Sequence, residues 1–454
     1  MRLFASSTPS LYHATHTVSL RTHANTLIPL SEFAAPLIPP FYSNPLLFNG
    51  HLQTFWTATK FADSFVIHYA RRHLINPRDG GHFAVDVVVP EFPATEAGAD
   101  LPPRTRHMPE DEHLGAQDTR PMLIALHGLS GGSHETYLRA ALHALLQKDP
   151  GWTACVVNAR GCALSKITSR QLFNARWTSD IREAIAYLHN AFPNRPLFAI
   201  GFSLGGNILT NYLGEEGEGC ILKAAVVCSN PWQLELASKY LHRSWIGREV
   251  YSKVMGANLR GLFELHIDTL RQDPRIDVAK VRGGKYLYEF DRDLTAMVFG
   301  YPTVGAYYRD ASSVDNLLKV RVPVLVVHAG DDPIAPGEAI PFDEVGASVK
   351  YVGVTAVAKR ELQVQANPYV FMAVTEGGGH LSWFEWGGGR WFGKPVSGHP
   401  GEGLVGGIDF ACNKVCNFLT KFASDVVGVE MLRDSDEADY ANGTAKPPVL
   451  EGTE

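Results

Sequence analysis

The sequence lacks several features that identify common classes of protein. Its 454 residues contain no uninterrupted apolar run of about 20 residues, so no transmembrane helix is predicted. The formal net charge is −6 and the Lys and Arg residues are dispersed. A nucleic-acid partner would need a concentrated basic face, so none is expected. No Cys-x-x-Cys pair occurs among the six cysteines, so neither a disulfide framework nor a metal site is indicated. No cofactor is expected.

The most informative stretch that is present is Gly201-Phe-Ser-Leu-Gly205. It follows an apolar run, residues 196–200, that is typical of a buried strand, and it precedes residues 207–213, which are typical of a helix. In this context a Gly-x-Ser-x-Gly pattern indicates a sharp turn that raises the serine hydroxyl above a sheet. Small residues at three spaced positions also occur by chance, so the motif needs partners elsewhere. Ser203 is the candidate nucleophile.

A serine nucleophile needs a base, and the base needs an orienting carboxylate. The apolar run 321–329 leads through a glycine into Asp331-Asp332-Pro333, and the run 369–374 leads into three glycines and His380. Both polar sites follow predicted strands, and the order Ser, acid, His is that of the α/β-hydrolases. We assign the base to His380. The related pattern Asp-x-Ile-Val-Pro favours Asp332 as the acid, with Asp331 as a competing candidate that is better interpreted as a loop or capping residue.

Two backbone N–H groups are needed to hold the oxyanion of such a reaction. Leu204 directly follows the candidate nucleophile and would supply one donor. The loop after the predicted strand 122–128 would supply the other, and Leu129 is its natural donor. His127 in the same segment is interpreted as a packing residue of this loop rather than a catalytic one.

Several longer segments resemble a known family. These are residues 127–135, 158–170 and 211–216, together with Gly50-His-Leu-Gln-Thr54. They are similar to the fungal medium-chain fatty-acid ethyl ester synthase/esterase family of the α/β-hydrolases, whose bacterial and animal relatives carry the Gly-His-Leu-Gln-Thr motif. The resemblance covers roughly residues 40–425, and the family's nucleophile, acid and base match Ser203, Asp332 and His380. It implies an ester hydrolase that can also transfer medium-chain acyl groups to an alcohol. Residues 346–361 have no counterpart in that pattern and form a candidate insertion.

The fold class predicted from alternating strands and helices is α/β, an α/β-hydrolase fold with a mostly parallel central sheet, helices on both faces and a helical cap. Parallel strands are expected near 122–128, 153–159, 196–202, 222–229, 322–328 and 369–375. The predicted order is an irregular N-terminal extension (1–40), a first core part (41–231) with an exposed loop (91–120), a helical cap (232–320), a second core part (321–427) and a disordered tail (428–454).

The predicted cap is much longer than a strand–helix connection requires, and long insertions in compact domains are usually functional. An extra packing layer without a gating role is the alternative. His242 and His266 lie in it and are interpreted as surface or packing residues. Phe202 and Leu204, which flank the nucleophile, are candidates for contact with bound acyl chains. Trp383, Phe384, Trp386 and Trp391 either pack in the core or line the mouth of the acyl site.

The sequence therefore predicts a serine carboxylic ester hydrolase, with an acyl ester or acyl-CoA and an alcohol or water as its small-molecule partners. A monoacylglycerol lipase, an acyl thioesterase and an inactive hydrolase-fold interaction protein remain alternatives. We expect a monomer in the cytoplasm or at the periphery of lipid droplets or membranes. The first 31 residues contain no acidic residue and many Ser and Thr, which loosely resembles a mitochondrial presequence with few arginines.

Overall fold

The structure is a computed structural model that describes residues 6–60, 65–109, 114–346, 366–385 and 409–430. Its strands are β1 Ser6–Ser7, β2 Ser10–His13, β3 Ser19–Thr22, β4 Leu27–Pro29, β5 Phe41–Tyr42, β6 His68–Ile75, β7 His82–Val89, β8 Thr105–His107, β9 Met122–Leu126, β10 Thr153–Asn158, β11 Leu197–Phe202, β12 Ala224–Cys228, β13 Val324–Ala329, β14 Val370–Thr375 and β15 Val426–Glu430. Its α-helices are α1 Leu30–Ala34, α2 Gly50–Lys60, α3 Thr136–Lys148, α4 Ser179–Ala191, α5 Leu204–Glu216, α6 Leu234–Arg243, α7 Lys253–Leu265, α8 Ile267–Leu270, α9 Val278–Gly283, α10 Leu287–Phe290, α11 Ala296–Val298, α12 Val304–Ala311, α13 Val314–Leu317, α14 Phe342–Val345 and α15 Asp409–Asp425.

A ten-stranded sheet within the described ranges has the order β2-β14-β13-β12-β11-β9-β10-β7-β6-β8. The six strands from β14 to β10 run parallel, as the sequence predicts, and nearly all of their residues are buried. Burial on both faces is why these strands are continuous apolar runs rather than alternating ones. Parallel strands all end at the same edge, so the segments that follow β11, β13 and β14 meet there.

Side chains that alternate along these strands fill two hydrophobic cores, one on each face of the sheet. Leu123, Phe198 and Ile200 point into a core that α3 and α15 complete. Ile124 and Ala199 point into the other core, which α4 and α5 complete. The helices on both faces that the fold class predicts are therefore present.

The connection between β12 and β13 is helical, and we call its residues 234–317 the cap. Two π-helical segments, Gly247–Ser252 and Asp291–Thr295, interrupt its α-helices. The cap has an apolar cluster of its own, in which Phe263 and Phe290 pack with Cys162 from the core domain. The cap is thus packed onto the segment that follows β10.

Three expectations about the less regular parts of the chain are wrong. Residues 1–40 are not irregular in their described part, because β2 pairs with β14 at the edge of the large sheet and β3 pairs with β4. The predicted disordered tail starts too early, since β15 runs to Glu430 and pairs with β3. The predicted exposed loop 91–120 contains β8, which pairs with β6, and it buries Leu101 and Met108.

The candidate insertion 346–361 lies outside the described residues except for Gly346, and so do residues 431–454 of the tail. None of the helices that the structure describes combines the length and the apolar character needed to cross a bilayer.

Candidate active site

Ser203 lies at the sharp turn between β11 and α5. Its backbone angles, φ 53° and ψ −120°, belong to a strained conformation that non-glycine residues rarely adopt. A Cβ atom on Gly201 would lie 2.5 Å from the Gly205 carbonyl oxygen, and one on Gly205 would lie 2.5 Å from the Leu126 oxygen. The flanking positions of the motif therefore need glycine, because the turn packs directly against backbone.

The structure brings together the three side chains that the sequence predicted. His380 Nε2 is 2.8 Å from Ser203 Oγ, and His380 Nδ1 is 2.9 Å from Asp332 Oδ2. With the ring proton on Nδ1 donated to the carboxylate, Nε2 is free to accept the serine hydroxyl proton. The three residues come from the segments after β11, β13 and β14, which end at one edge of the sheet.

Asp332 is held as a buried, ionised acceptor. Its Oδ1 accepts hydrogen bonds from the backbone N–H groups of Ile334 at 2.8 Å and Ala335 at 2.9 Å. Burial alone would raise the pKa of Asp332, but His380 and the Ala335 N–H outweigh it and hold the pKa below its ordinary value. Asp332 is therefore a carboxylate when it contacts the imidazole.

Asp331 points elsewhere. Its Oδ2 accepts a hydrogen bond from the Gly50 N–H at 2.8 Å, at the start of α2. Burial, together with the neighbouring charge of Asp332, raises the pKa of Asp331 to about 6. The structure thus gives Asp331 a loop and capping position, and it is Asp332 that contacts His380.

The two residues that carry the candidate oxyanion donors both lie at the site. Leu129 and Leu204 line the same cavity as Ser203, and neither N–H donates to another described residue. The loop that carries Leu129 is fixed by Tyr137, whose hydroxyl accepts the Gly128 N–H at 2.8 Å. Backbone N–H groups that have no partner within the fold can donate to a developing oxyanion.

His127 packs this loop. Its Nδ1 lies 2.7 Å from the Gly128 oxygen, and its Nε2 accepts the Ala159 N–H at 3.0 Å. Complete burial lowers the pKa of His127 to about 4, so the imidazole is neutral. Both ring nitrogens are used within the fold, which agrees with a packing role.

Comparison with known proteins gives the family. Residues 121–343 match the model of the α/β hydrolase fold. The chain is 35% identical over 370 residues to the monoacylglycerol lipase of Saccharomyces cerevisiae, covering 77% of this chain and 78% of that protein. The chain belongs to the α/β-hydrolase family.

Two further relatives extend the comparison. Medium-chain fatty acid ethyl ester synthase/esterase 2 of Saccharomyces cerevisiae is 30% identical over 421 residues, covering 82% of this chain and 88% of that protein. Phospholipase ABHD3 of Mus musculus is 32% identical over 269 residues, covering 59% of each chain. With the family match, these relatives support a hydrolase of the lipase and esterase group.

An apolar cavity opens at Ser203 between the core of this hydrolase and its cap. Its empty space is about 950 Å³, a volume that includes open solvent at the mouth. Most of the lining is aliphatic or aromatic, and most of it comes from the cap. The cavity is lined by Leu129, Gln171, Leu172, Phe173, Asn174, Ala175, Ser203, Leu204, Pro231, Leu234, Ala237, Ser238, Leu241, Met255, Leu259, Leu270, Leu287, Phe290, Asp291, Leu294, Thr295, Val298, Phe299, Tyr307, Tyr308 and Ile334.

The expected substrate contact at Phe202 is wrong for this cavity. Its ring is buried in the core, 5.1 Å from the Tyr137 ring. Alternate residues of a strand point to the same face, so Phe202 enters the same core as Phe198 and Ile200. Leu204, the other candidate, does line the cavity. Trp383 and Phe384 are buried, and Trp383 Nε1 donates to Thr375 Oγ1, which favours packing. Trp386 and Trp391 lie outside the described residues.

The histidines of the cap are also accounted for by local contacts. His266 Nε2 lies 2.9 Å from the Gly161 oxygen, and His242 Nδ1 lies 2.8 Å from the Ser238 oxygen one turn earlier. Neither histidine lines the cavity. These positions agree with the packing and surface roles expected for them.

Sequence reasoning missed the groups that hold the loop of His380. Thr54 accepts the His380 N–H at 2.8 Å, and Ser229 Oγ accepts the Leu381 N–H at 3.3 Å. Thr54 belongs to the Gly-His-Leu-Gln-Thr motif, which the resemblance had singled out without a role. The motif could have indicated a role for Thr54. Nothing in the sequence around Ser229 indicates that its hydroxyl contacts the loop of His380.

Proposed function

We propose that this chain is a serine hydrolase of fatty-acyl esters that works through an acyl-enzyme and can pass the acyl group to an alcohol. The observation that carries the proposal is the hydrogen bond from Ser203 to His380, with Ser203 in the wall of an apolar cavity. A hydrolase needs both features, since the pair activates the nucleophile and the cavity binds the chain.

The reaction follows from the geometry. Ser203 Oγ attacks the ester carbonyl while His380 Nε2 takes its proton, and Asp332 stabilises the imidazolium. The Leu129 and Leu204 N–H groups hold the oxyanion of the tetrahedral intermediate. As the intermediate collapses, His380 returns the proton to the leaving alcohol. Water then attacks the acyl-enzyme and releases the fatty acid, or an alcohol attacks and forms a new ester; in both cases His380 again takes and returns the proton.

The substrate class rests on the cavity and on the relatives. An aliphatic lining favours an acyl chain, and each buried methylene adds about 0.8 kcal/mol of binding until the space is filled. The family resemblance and the medium-chain esterase relative favour an optimum at about six to ten carbons, since overfilling a packed site is unfavourable.

A second candidate is hydrolysis of monoacylglycerols. It is favoured by the relative that is 35% identical, a monoacylglycerol lipase, and by polar groups in the cavity wall. Asp291, Tyr308 and Thr295 line the cavity and could contact the hydroxyl groups of a glycerol ester. The same nucleophile and base would serve either substrate.

The test is product analysis with purified enzyme on p-nitrophenyl esters from butyryl to palmitoyl, on octanoylglycerol and on octanoyl-CoA. We expect a maximum near octanoyl, ethyl octanoate when ethanol is added, and covalent labelling by a fluorophosphonate. The Ser203→Ala variant sets the background, with turnover lower by several orders of magnitude and no labelling.

Each half of the proposal can fail separately. Ester hydrolysis retained by a clean Ser203→Ala preparation would remove the serine mechanism. An ethyl ester yield no higher than that of Ser203→Ala would remove acyl transfer. A rate that rises steadily to palmitoyl esters would indicate a long-chain lipase, and a strong preference for octanoylglycerol would select the second candidate.

A further inference from the structure

The first turn of α2 lies against the loop that carries His380. Thr54 Oγ1 accepts the backbone N–H of His380 at 2.8 Å and donates to the Gly50 carbonyl oxygen at 2.7 Å. Because the hydroxyl proton is committed to Gly50, a lone pair of Thr54 faces the His380 N–H. The direction of this hydrogen bond is therefore fixed by the helix itself.

Gln53 holds the same loop four residues further on. Its side chain is fully buried, with Oε1 accepting the Phe384 N–H at 3.0 Å and Nε2 donating to the Leu47 oxygen at 3.0 Å. Both ends of the amide are satisfied, which sets its orientation. Two consecutive side chains of one helical turn thus hold the loop at His380 and at Phe384.

Helix α2 packs so closely against the loop of His380 that position 379 has no space for a side chain. A Cβ atom on Gly379 would lie 2.8 Å from Thr54 Oγ1 and 2.9 Å from the Gly50 oxygen. The same turn also donates the Gly50 N–H to Asp331, the neighbour of the acid Asp332. The turn therefore contacts the loops of both the base and the acid.

His380 needs such support because its loop has no regular structure between β14 and Phe384. Three glycines precede His380, and Leu381 after it has φ 57°. The imidazole must stay within hydrogen-bond distance of Ser203 on one side and Asp332 on the other. A displacement of about 1 Å in such a group can lower the rate on the order of a hundredfold.

We propose that Thr54 and Gln53 are positioning residues that hold the His380 loop in register with Ser203, which gives the Gly-His-Leu-Gln-Thr motif its function. The inference rests on the proposed serine mechanism. Neither side chain lines the cavity, so both act through the loop and not on the substrate. His51 in the same turn contacts the cap instead, with Nδ1 3.0 Å from the Tyr251 hydroxyl.

The test compares Thr54→Val, Thr54→Ser and Thr57→Val in the full chain. Valine keeps the shape of threonine and removes the hydroxyl, whereas serine keeps the hydroxyl. Thr57 is the matched control, because it lies one turn later on the same helix and its hydroxyl donates to the Gln53 oxygen of that helix. The measurements are kcat and KM on p-nitrophenyl octanoate, the rate of fluorophosphonate labelling, and the folded fraction from circular dichroism.

For Thr54→Val we expect kcat per folded molecule to fall by about 10- to 100-fold, with KM changed less than about threefold. The labelling rate should fall by a similar factor, because labelling also needs His380 to activate Ser203. Thr54→Ser should recover most of both rates, and Thr57→Val should behave as wild type.

The proposal is overturned if Thr54→Val keeps the wild-type kcat and labelling rate per folded molecule. It is equally overturned if Thr57→Val loses as much as Thr54→Val, or if Thr54→Ser gives no recovery. These outcomes leave the serine mechanism intact so long as Ser203→Ala is inactive. Activity in Ser203→Ala would instead remove the mechanism on which the inference rests.

Discussion

Two adjacent aspartates show how strongly local surroundings decide the role of a residue. Asp332 accepts hydrogen bonds from His380 and from two backbone N–H groups, and its pKa is lowered. Asp331 accepts from Gly50, and burial raises its pKa to about 6. Only one of the two carboxylates can therefore fix the imidazole tautomer.

We expect Asp332→Asn to lower kcat far more than Asp331→Asn. An asparagine at 332 can donate to Nδ1 and so favour the wrong tautomer, which should cost roughly 10³- to 10⁴-fold. Asp331→Asn keeps an acceptor for the Gly50 N–H and should cost about tenfold at most. Steady-state kinetics on p-nitrophenyl octanoate measure both, and the reverse order of effects would give the acid role to Asp331.

Sequence reasoning was most successful where a residue's role is set by its immediate neighbours. The turn around Ser203 is dictated by Gly201 and Gly205, so a local pattern was enough to locate it. The contact between Thr54 and His380 spans 326 positions of the chain, and only the folded molecule brings the two together. No periodicity or local motif near His380 indicates this partner.

The cap is the element whose presence the sequence predicted but whose interior it could not describe. An insertion of this length indicates a helical layer, and the structure has one over the cavity. The π-helical segment Asp291–Thr295 lies in it, and π-helical turns often occur at functional sites. It places the buried carboxyl of Asp291 in the cavity wall, where Tyr308 donates a hydrogen bond to it at 2.8 Å.

Asp291 should make the stability of the cap depend on pH. Burial raises its pKa to about 6, above the value of about 3.9 for an unfolded aspartate. The folded state binds the proton more tightly than the unfolded chain does. The free energy of unfolding is therefore highest at pH values below about 3.9, and it falls as pH rises through about 6. Asp291→Asn stays neutral, so its free energy of unfolding relative to wild type should rise by about 1 kcal/mol between pH 5 and pH 7.5.

Urea unfolding at the two pH values measures the difference between the variants. Asp268→Asn is the matched control, since the Asp268 side chain is 84% exposed in a neighbouring helix of the cap. Its change at the two pH values is the background against which the Asp291→Asn gain is measured. If the gain of Asp291→Asn is the same at both, the carboxyl does not titrate between them.

At the scale of the whole molecule, the chain ends are where sequence reasoning failed. Residues 1–40 and the start of the tail contain strands of two to five residues, too short to show an alternating pattern. Two of these strands pair with partners that are distant in the chain, since β3 pairs with β15 and β2 with β14. Pairing supplied by the rest of the fold, and not local propensity, makes these segments strands.

The N-terminal segment should therefore contribute to global stability without contributing to the chemistry. Val18 is 1% exposed in the core beside α3 and α15, and its N–H donates to the Pro368 oxygen just before β14. Val18→Ala removes two buried carbon groups and should lower the free energy of unfolding by roughly 1–3 kcal/mol.

Val427→Ala is the matched control, because Val427 in β15 is 54% exposed, and it should change stability by less than about 0.5 kcal/mol. Neither side chain lines the cavity, so kcat/KM per folded molecule should stay at the wild-type value in both variants. Equal losses of stability in the two variants, measured by urea unfolding, would mean that the first residues of the chain are not part of the cooperative core.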